Sequence, residues 1–279
     1  MKYKNIANVI LSSILVISGG NICVKLIDYN KSSNLYEDIQ NIANTNNTED
    51  SENEEIVMNE YEKQINTYNS LKEMNNEYQF WITIPNTNID YPVVQTDDNQ
   101  FYLKKDFNKK KSSAGTVFMD TLNNFMTDKN VVLYGHNMRN KTMFNNLIKF
   151  KDKNFFEQNN KIVIKNTSNG KEYIYEVFSA YHSDNNFNYN TVVFNENYTY
   201  EQYLNDIKKK SLFKKNIDVT TKDRILTLST CSYEFKGAKT TVHAKLIEVK
   251  DLNPENTSNN TIMNTQEDDS FTVENMLEY

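Results

Sequence analysis

Two side chains in this sequence have types and positions that suit one shared chemistry. Cys231 closes the apolar run Ile225-Leu226-Thr227-Leu228-Ser229-Thr230, and His136 lies in Tyr134-Gly135-His136-Asn137-Met138, directly after the apolar run Val131–Tyr134. A thiol is a weak nucleophile until it loses its proton; a nearby imidazole stabilises the thiolate and later protonates a leaving amine. Both residues end apolar strands, and two strand ends can converge at one barrel mouth although they lie far apart in sequence. Gly135 gives the chain a sharp exit at which backbone freedom can aim the imidazole. Plainer readings stand beside this one: a strand-end Cys as a small buried hydrophobe, a lone His as a satisfied structural group. A zinc site drawn from Cys231, His136, His182 and His243 lacks the close-spaced ligand pair that such sites use. His182 and His243 read as structural, the latter as one position in an alternating strand.

The compartment sharpens the case for Cys231. The only other cysteine, Cys23, lies in Asn5–Val24, a stretch without charge that is rich in Ile, Leu, Val and Ala. As a helix it is about 30 Å long at roughly 1.5 Å per residue, enough to cross a bilayer. Lys2 and Lys4 precede it, so the positive-inside tendency leaves residues 1–4 in the cytoplasm and everything after Lys25 outside. We read 5–24 as an uncleaved signal-anchor, with a cleaved signal peptide at Ser18-Gly19-Gly20 as the alternative. Outside the cell membrane, an unpaired thiol is either chemically employed or a liability. The net charge is −6 and basic residues form only short runs, which argues against a nucleic-acid partner. Lys109–Lys111 and Lys208–Lys210 read as solvated faces.

The elements that must position the two residues follow from patterning. Residues 25–57 divide into a juxtamembrane helix, with Leu35, Ile39 and Ile42 at helical spacing, and an acidic Asn/Thr/Ser-rich flexible linker. A second helix, 58–75, carries Met58, Tyr61, Ile65, Tyr68 and Leu71. From there to residue 250 the texture is β: Phe80–Ile84, Ile89–Val94, Thr116–Met119, Val131–Tyr134, Lys161–Lys165, Glu172–Tyr181, Ile225–Thr230 and Thr240–Val249. Pro92 marks an edge or an irregularity, and Asn169-Gly170 a hairpin turn. Helical interruptions are expected at Thr142–Phe150 and Tyr200–Lys210. Eight short strands imply a mostly β barrel or sandwich, and aromatic residues, 12% of the chain, are ample for its core. Residues 251–279, rich in Asp, Glu, Asn and Thr, read as a disordered acidic tail.

Thr227-Leu228-Ser229-Thr230-Cys231 resembles the active-site signature of sortases, and Tyr134-Gly135-His136-Asn137-Met138 resembles the histidine motif of the same family. Class B fits best: two helices precede the barrel, Ile89-Asp90-Tyr91-Pro92-Val93-Val94-Gln95 is similar to a class B stretch, and a helix-bearing segment precedes the cysteine strand. The resemblance covers about Asn59 to Val249. It implies an eight-stranded closed β-barrel over 79–250, within a catalytic domain at 58–250, and a membrane-tethered cysteine transpeptidase. In that family the cysteine attacks the Thr carbonyl of a C-terminal sorting signal on a secreted protein, and an amine of the peptidoglycan precursor resolves the thioester. Signals of the Asn-Pro-Gln-Thr-Asn or Pro-x-Thr-Gly type are implied, and no metal or other cofactor.

Carried over residue by residue, Cys231 becomes the nucleophile and His136 the acid/base. The family arginine falls on Lys239, which supplies charge without a planar bidentate fork. The chain has two arginines, and Arg224 lies roughly 23 Å back along the cysteine strand at about 3.3 Å per residue. Arg139 follows the histidine motif but does not match the arginine position. Lys239 either takes the arginine role or marks a catalytically weak or inactive binding domain; a plain cysteine protease, which uses water as acceptor, is the third reading. Asn99, Leu103, Tyr134 and Ser229 resemble substrate-groove residues, and Thr230 one that shapes an oxyanion pocket through its backbone.

Overall fold

The computed structural model describes residues 2–45, 59–183, 187–231 and 237–256. Eight strands close into a barrel in the order β1-β2-β3-β4-β7-β8-β6-β5. They are β1 (Tyr78–Thr83), β2 (Asp90–Val94), β3 (Val117–Met119), β4 (Asn130–Tyr134), β5 (Lys161–Lys165), β6 (Lys171–Ser183), β7 (Ile225–Cys231) and β8 (Lys239–Asp251). Closure leaves no long unpaired edge. Two pairs are parallel, β2 with β3 and β4 with β7; the second sets two strands side by side with both C-terminal ends at one rim. Pro92 pairs with Trp81 of β1, while the ladder to β3 begins only at Val93, so its missing N–H costs no bond on the β3 side.

Helix α1 (Lys2–Thr45) is one continuous helix, not an anchor followed by a separate juxtamembrane helix. It contains one stretch, starting at Ile10, that is long and apolar enough to cross a membrane. Leu11, Leu15 and Val16 there are exposed among the described residues. The lower part docks on the barrel by Tyr36, Ile39 and Ala43. That buried stripe is rotated from the expected one, with Leu35 and Ile42 only half-buried at its margins, because Tyr36 brings a polar handle as well as a ring. The expected linker from 46 onward, and Met58, lie outside the described residues, as does the tail from 257.

Helix α2 (Glu60–Met74) opens with a capping box: Asn59 Oδ1 accepts from Glu62 N (2.9 Å) and Glu62 Oε2 from Asn59 N (3.1 Å). Its buried face is Gln64, Thr67 and Leu71, with Tyr61, Ile65 and Tyr68 half-buried beside it. A glutamine lies inward because its side chain is paired: Oε1 accepts from Asn166 N (3.1 Å) and Nε2 donates to Glu172 (3.1 Å). The β5–β6 hairpin uses the wider loop 166–170 instead of a two-residue turn. Thr167 organises it, accepting from Lys171 N on its hydroxyl (3.1 Å) and from Gly170 N on its carbonyl (3.1 Å).

Thr142–Phe150 is a 3-10 segment, Phe144–Lys151, and runs into a short helix, α3 (Lys153–Gln158), that the apolar pattern is too brief to reveal. Helix α4 (Tyr200–Lys210) has the expected bounds and buries Tyr203, Leu204 and Ile207 against β6. Its lysine run is more than a solvated face: Lys208 donates to Val219 O, and Lys210 lies over the Phe187 ring at 4.5 Å.

Under α4 a fully buried histidine is satisfied as a neutral ring. Thr227 Oγ1 donates its proton to Asn130 Oδ1 (2.7 Å), so His243 Nδ1–H donates to Thr227 Oγ1 (2.8 Å) and Nε2 accepts from Tyr181 OH (2.8 Å). Burial pushes the His243 pKa down to about 3. Above about pH 6.5 the ring is neutral folded or unfolded; below it the unfolded chain takes up a proton that the folded chain refuses until about pH 3. His243 therefore lowers stability as pH falls, by up to about 1.4 kcal/mol per pH unit across that window. Urea unfolding at pH 7 and pH 5 is expected to show this extra loss in the wild type and not in His243→Gln; equal losses would refute it.

Candidate active site

Parallel pairing of β4 and β7 explains how two distant residues meet. Tyr134 is in register with Ser229, and each chain reaches its reactive residue two positions further on, at His136 and Cys231. Gly135 N still donates to Ser229 O (3.2 Å) across that end. On the other side of β7, antiparallel β8 sets Lys239 directly opposite Cys231. Lys239 Nζ donates to Cys231 Sγ at 3.2 Å, and the thiol is exposed.

Gly135 is required for space instead of unusual backbone angles. Its φ is not positive, but a Cβ there would lie 2.7 Å from Phe144 Cγ. Phe144 N in turn donates to His136 O (2.9 Å), which folds the chain back after the histidine. His136 Nε2 lies 2.7 Å from Leu103 O. A carbonyl only accepts, so Nε2 carries the proton and Nδ1 is the nitrogen left for chemistry. Asn137, unassigned from sequence although it belongs to the histidine motif, donates from Nδ2 to Cys231 O (2.8 Å) and accepts from Asn145 on Oδ1 (2.6 Å). It ties the histidine segment to the cysteine itself.

Cys231, His136, Lys239, Asn99, Leu103, Tyr134, Ser229 and Thr230 all line one cleft of about 280 Å³, with Tyr189 and Asn190 among its other walls. Several are held by wall bonds. Asp120, which sequence reasoning missed, is buried and accepts on Oδ2 from Tyr134 OH (2.8 Å) and Asn99 Nδ2 (3.1 Å). Asn190 Nδ2 donates to Tyr134 OH (2.8 Å), and Ser229 Oγ donates to Tyr189 OH (3.0 Å). Burial, with Asp120 adjoining, pushes the Tyr134 phenol well above its ordinary range, so it stays protonated. Leu103 contributes its carbonyl to His136, a backbone role that its side-chain type does not disclose. Thr230 Oγ1 is buried with no hydrogen-bond partner among the described residues.

The arginines are elsewhere. Arg224 donates to Phe125 O and, at 3.2 Å, to Asp128 O, before the start of β4 and away from the cysteine. Arg139 is exposed and absent from the cleft wall. His243 is the buried structural ring described above, and the described residues contain no group of three His, Cys, Asp or Glu able to hold a metal.

The closed barrel brings a cysteine and a histidine to the ends of adjacent parallel strands, an arrangement suited to acyl transfer through a thiol. The Sortase domain family matches residues 82–247, and the chain belongs to that family. Its relatives are of class B. It is 36% identical to sortase B of Listeria monocytogenes over 63% of this chain and 72% of the relative. It is 31% identical to sortase B of Staphylococcus aureus over 89% of this chain and 98% of the relative. A mutant form of Clostridium perfringens sortase B superposes with a TM-score of 0.64 at 42% identity, covering 67% of this chain and 90% of that one. A Staphylococcus aureus sortase B–substrate complex superposes at 0.68 and 29% identity, over 80% and 99%. The chain is thus a class B, sortase-type cysteine transpeptidase, a family that acts on sorting-signal substrates.

Proposed function

We propose that this chain is anchored in the cell membrane by the apolar part of α1, with its barrel outside, and joins secreted proteins to an amine of the peptidoglycan precursor. The observation that carries the mechanism is the contact of Lys239 Nζ with Cys231 Sγ at 3.2 Å, beside the strand end that bears His136.

In the first step the Cys231 thiol gives its proton to His136 Nδ1, and the resulting thiolate attacks the Thr carbonyl of a sorting signal. A C–S bond forms, and the carbonyl oxygen takes the charge. Lys239 supplies a positive donor beside the sulfur, where that oxyanion develops. The C–N bond then breaks, and His136 gives a proton from Nδ1 to the leaving amine while Leu103 O holds Nε2–H. A thioester remains on Cys231. In the second step the acceptor amine attacks it, a new C–N bond forms, the C–S bond breaks, and His136 takes the amine proton. Two covalent steps let an amine, in place of water, take the acyl group. Asn99, Leu103, Tyr134, Ser229 and Thr230 shape the groove that receives the signal, and Thr230 borders the oxyanion position.

The test is a panel of Asn-Pro-Gln-Thr-Asn and Pro-x-Thr-Gly peptides, with and without a glycine-peptide amine. A ligated product that grows with amine concentration is expected; hydrolysis alone would mark a protease. In the same assay Lys239→Ala is expected to slow acylation on the order of 10²-fold, as loss of one oxyanion donor does. Lys239→Arg, which restores charge on a different fork, is expected to retain most of the rate. Wild-type rates in both variants would remove Lys239 from the mechanism.

A further inference from the structure

The docked half of α1 makes a ladder of polar contacts to a single loop. Asp28 Oδ2 accepts from Ser113 N (3.2 Å) and Ser113 Oγ. Ser32 Oγ lies 2.9 Å from Ser112 Oγ, and Tyr36 OH donates to Gly115 O at 2.6 Å. Positions 28, 32 and 36 recur every fourth residue and so share one face of the helix. The Tyr36 hydroxyl also lies 3.0 Å from Thr116 Oγ1, whose own proton goes to Lys105 O (2.9 Å). Tyr36 is buried, and its ring packs edge-on against Tyr91 with centroids 5.4 Å apart.

The loop that α1 grips ends against the catalytic imidazole. Gly115 has φ +64°, and a Cβ there would lie 2.5 Å from Tyr102 O, 3.1 Å from His136 Cδ2 and 3.2 Å from Leu103 O. Leu103 O is the acceptor that orients His136 Nε2–H. Gly115 therefore backs both the edge of the ring and the carbonyl that aims it, and its position is set from behind by Tyr36. Thr116 N, donating to Tyr102 O at 3.0 Å, locks the same crossing.

We propose that Tyr36 is a positioning residue for the reaction: through Gly115 it fixes His136, so that the anchor helix belongs to the catalytic apparatus and is not a leash. The proposal rests on the acid/base role of His136. The Tyr36→Phe change keeps the ring against Tyr91 and removes only the hydroxyl, so the fold survives while Gly115 O loses its donor. Misplacement well under an ångström in such a site costs rate, not binding.

The test uses the full chain in lipid nanodiscs and the fluorogenic sorting-signal peptide that the unaltered chain cleaves fastest. Tyr36→Phe is expected to lower kcat on the order of tenfold, with KM changed by less than about twofold. Gln40→Ala is the control, because it removes a bond from the same helix to Asp90 O (2.7 Å) on β2, away from Gly115. It is expected to leave kcat within about twofold of the wild type. An unchanged kcat in Tyr36→Phe, or an equal loss in Gln40→Ala, would overturn the proposal. A His136→Gln chain as fast as the wild type would instead remove the acid/base reading beneath it; with that chain slow and Tyr36→Phe fast, the Tyr36 proposal alone falls.

Discussion

Cys231→Ala is expected to abolish acyl transfer, with peptide cleavage down on the order of 10⁴-fold or more and thermal stability unchanged. Loss of a covalent nucleophile removes the pathway itself, and what remains comes from binding and oxyanion contacts. Stability is spared because the Cys231 side chain is exposed and packs into no core. Its backbone carbonyl, which accepts from Asn137, is kept by alanine, as is its ladder position opposite Lys239. Exposed substitutions of this kind change stability by only about 0.5 kcal/mol. Steady-state peptide cleavage beside a melting curve checks both halves. A residual rate within tenfold of the wild type would show that another group attacks the carbonyl.

His136→Gln is expected to slow acylation by about 10²- to 10⁴-fold, the range for losing a positioned proton donor. Glutamine retains an N–H that can donate to Leu103 O and so preserves the loop that His136 holds, while no titrating nitrogen remains to protonate the leaving amine. Single-turnover measurement of thioester formation isolates this step from the second. Restoration of most of the rate by a peptide with a better leaving group in place of the amine would confirm proton donation. A variant acylating within threefold of the wild type on the ordinary peptide would contradict it.

Much of this architecture was legible because its strands are short, apolar and separated by polar turns, and the eight expected segments match the eight strands to within a few residues. Cys231 and His136 stood out because reactive residue types at strand ends are rare. Their proximity was not legible from periodicity, since it depends on β4 and β7 lying parallel and in register, a pairing set by the closed barrel. Asp120 was missed for a related reason: an acid at a strand end reads as a turn residue until Tyr134 and Asn99 are seen to converge on it. Asn137 was hidden by its more reactive neighbour.

The helices show where local pattern and tertiary packing part. In α4 the apolar stripe and the Thr199–Gln202 capping box agree, and the expected bounds are those observed. In α2 Tyr61, Ile65 and Tyr68 are only half-buried, because paired Gln64 and buried Thr67 share the inward face with Leu71. In α1 no helix-breaking residue stands between the apolar stretch and the docked stripe, so one helix runs through both. A division by composition into anchor and juxtamembrane helix is therefore not a division of the backbone. The same continuity lets a helix that begins in a membrane-length apolar stretch end in contact with the loop behind His136.

Intact-mass analysis of the full chain during turnover tests the central claim most directly. With a sorting-signal peptide and no amine, a covalent adduct equal to the acyl fragment is expected on Cys231. It should be absent from Cys231→Ala and discharge into a new amide when a glycine peptide is added. A chain that cleaves the peptide without ever carrying that adduct, or whose adduct yields only free acid in excess amine, would contradict acyl transfer through a Cys231 thioester.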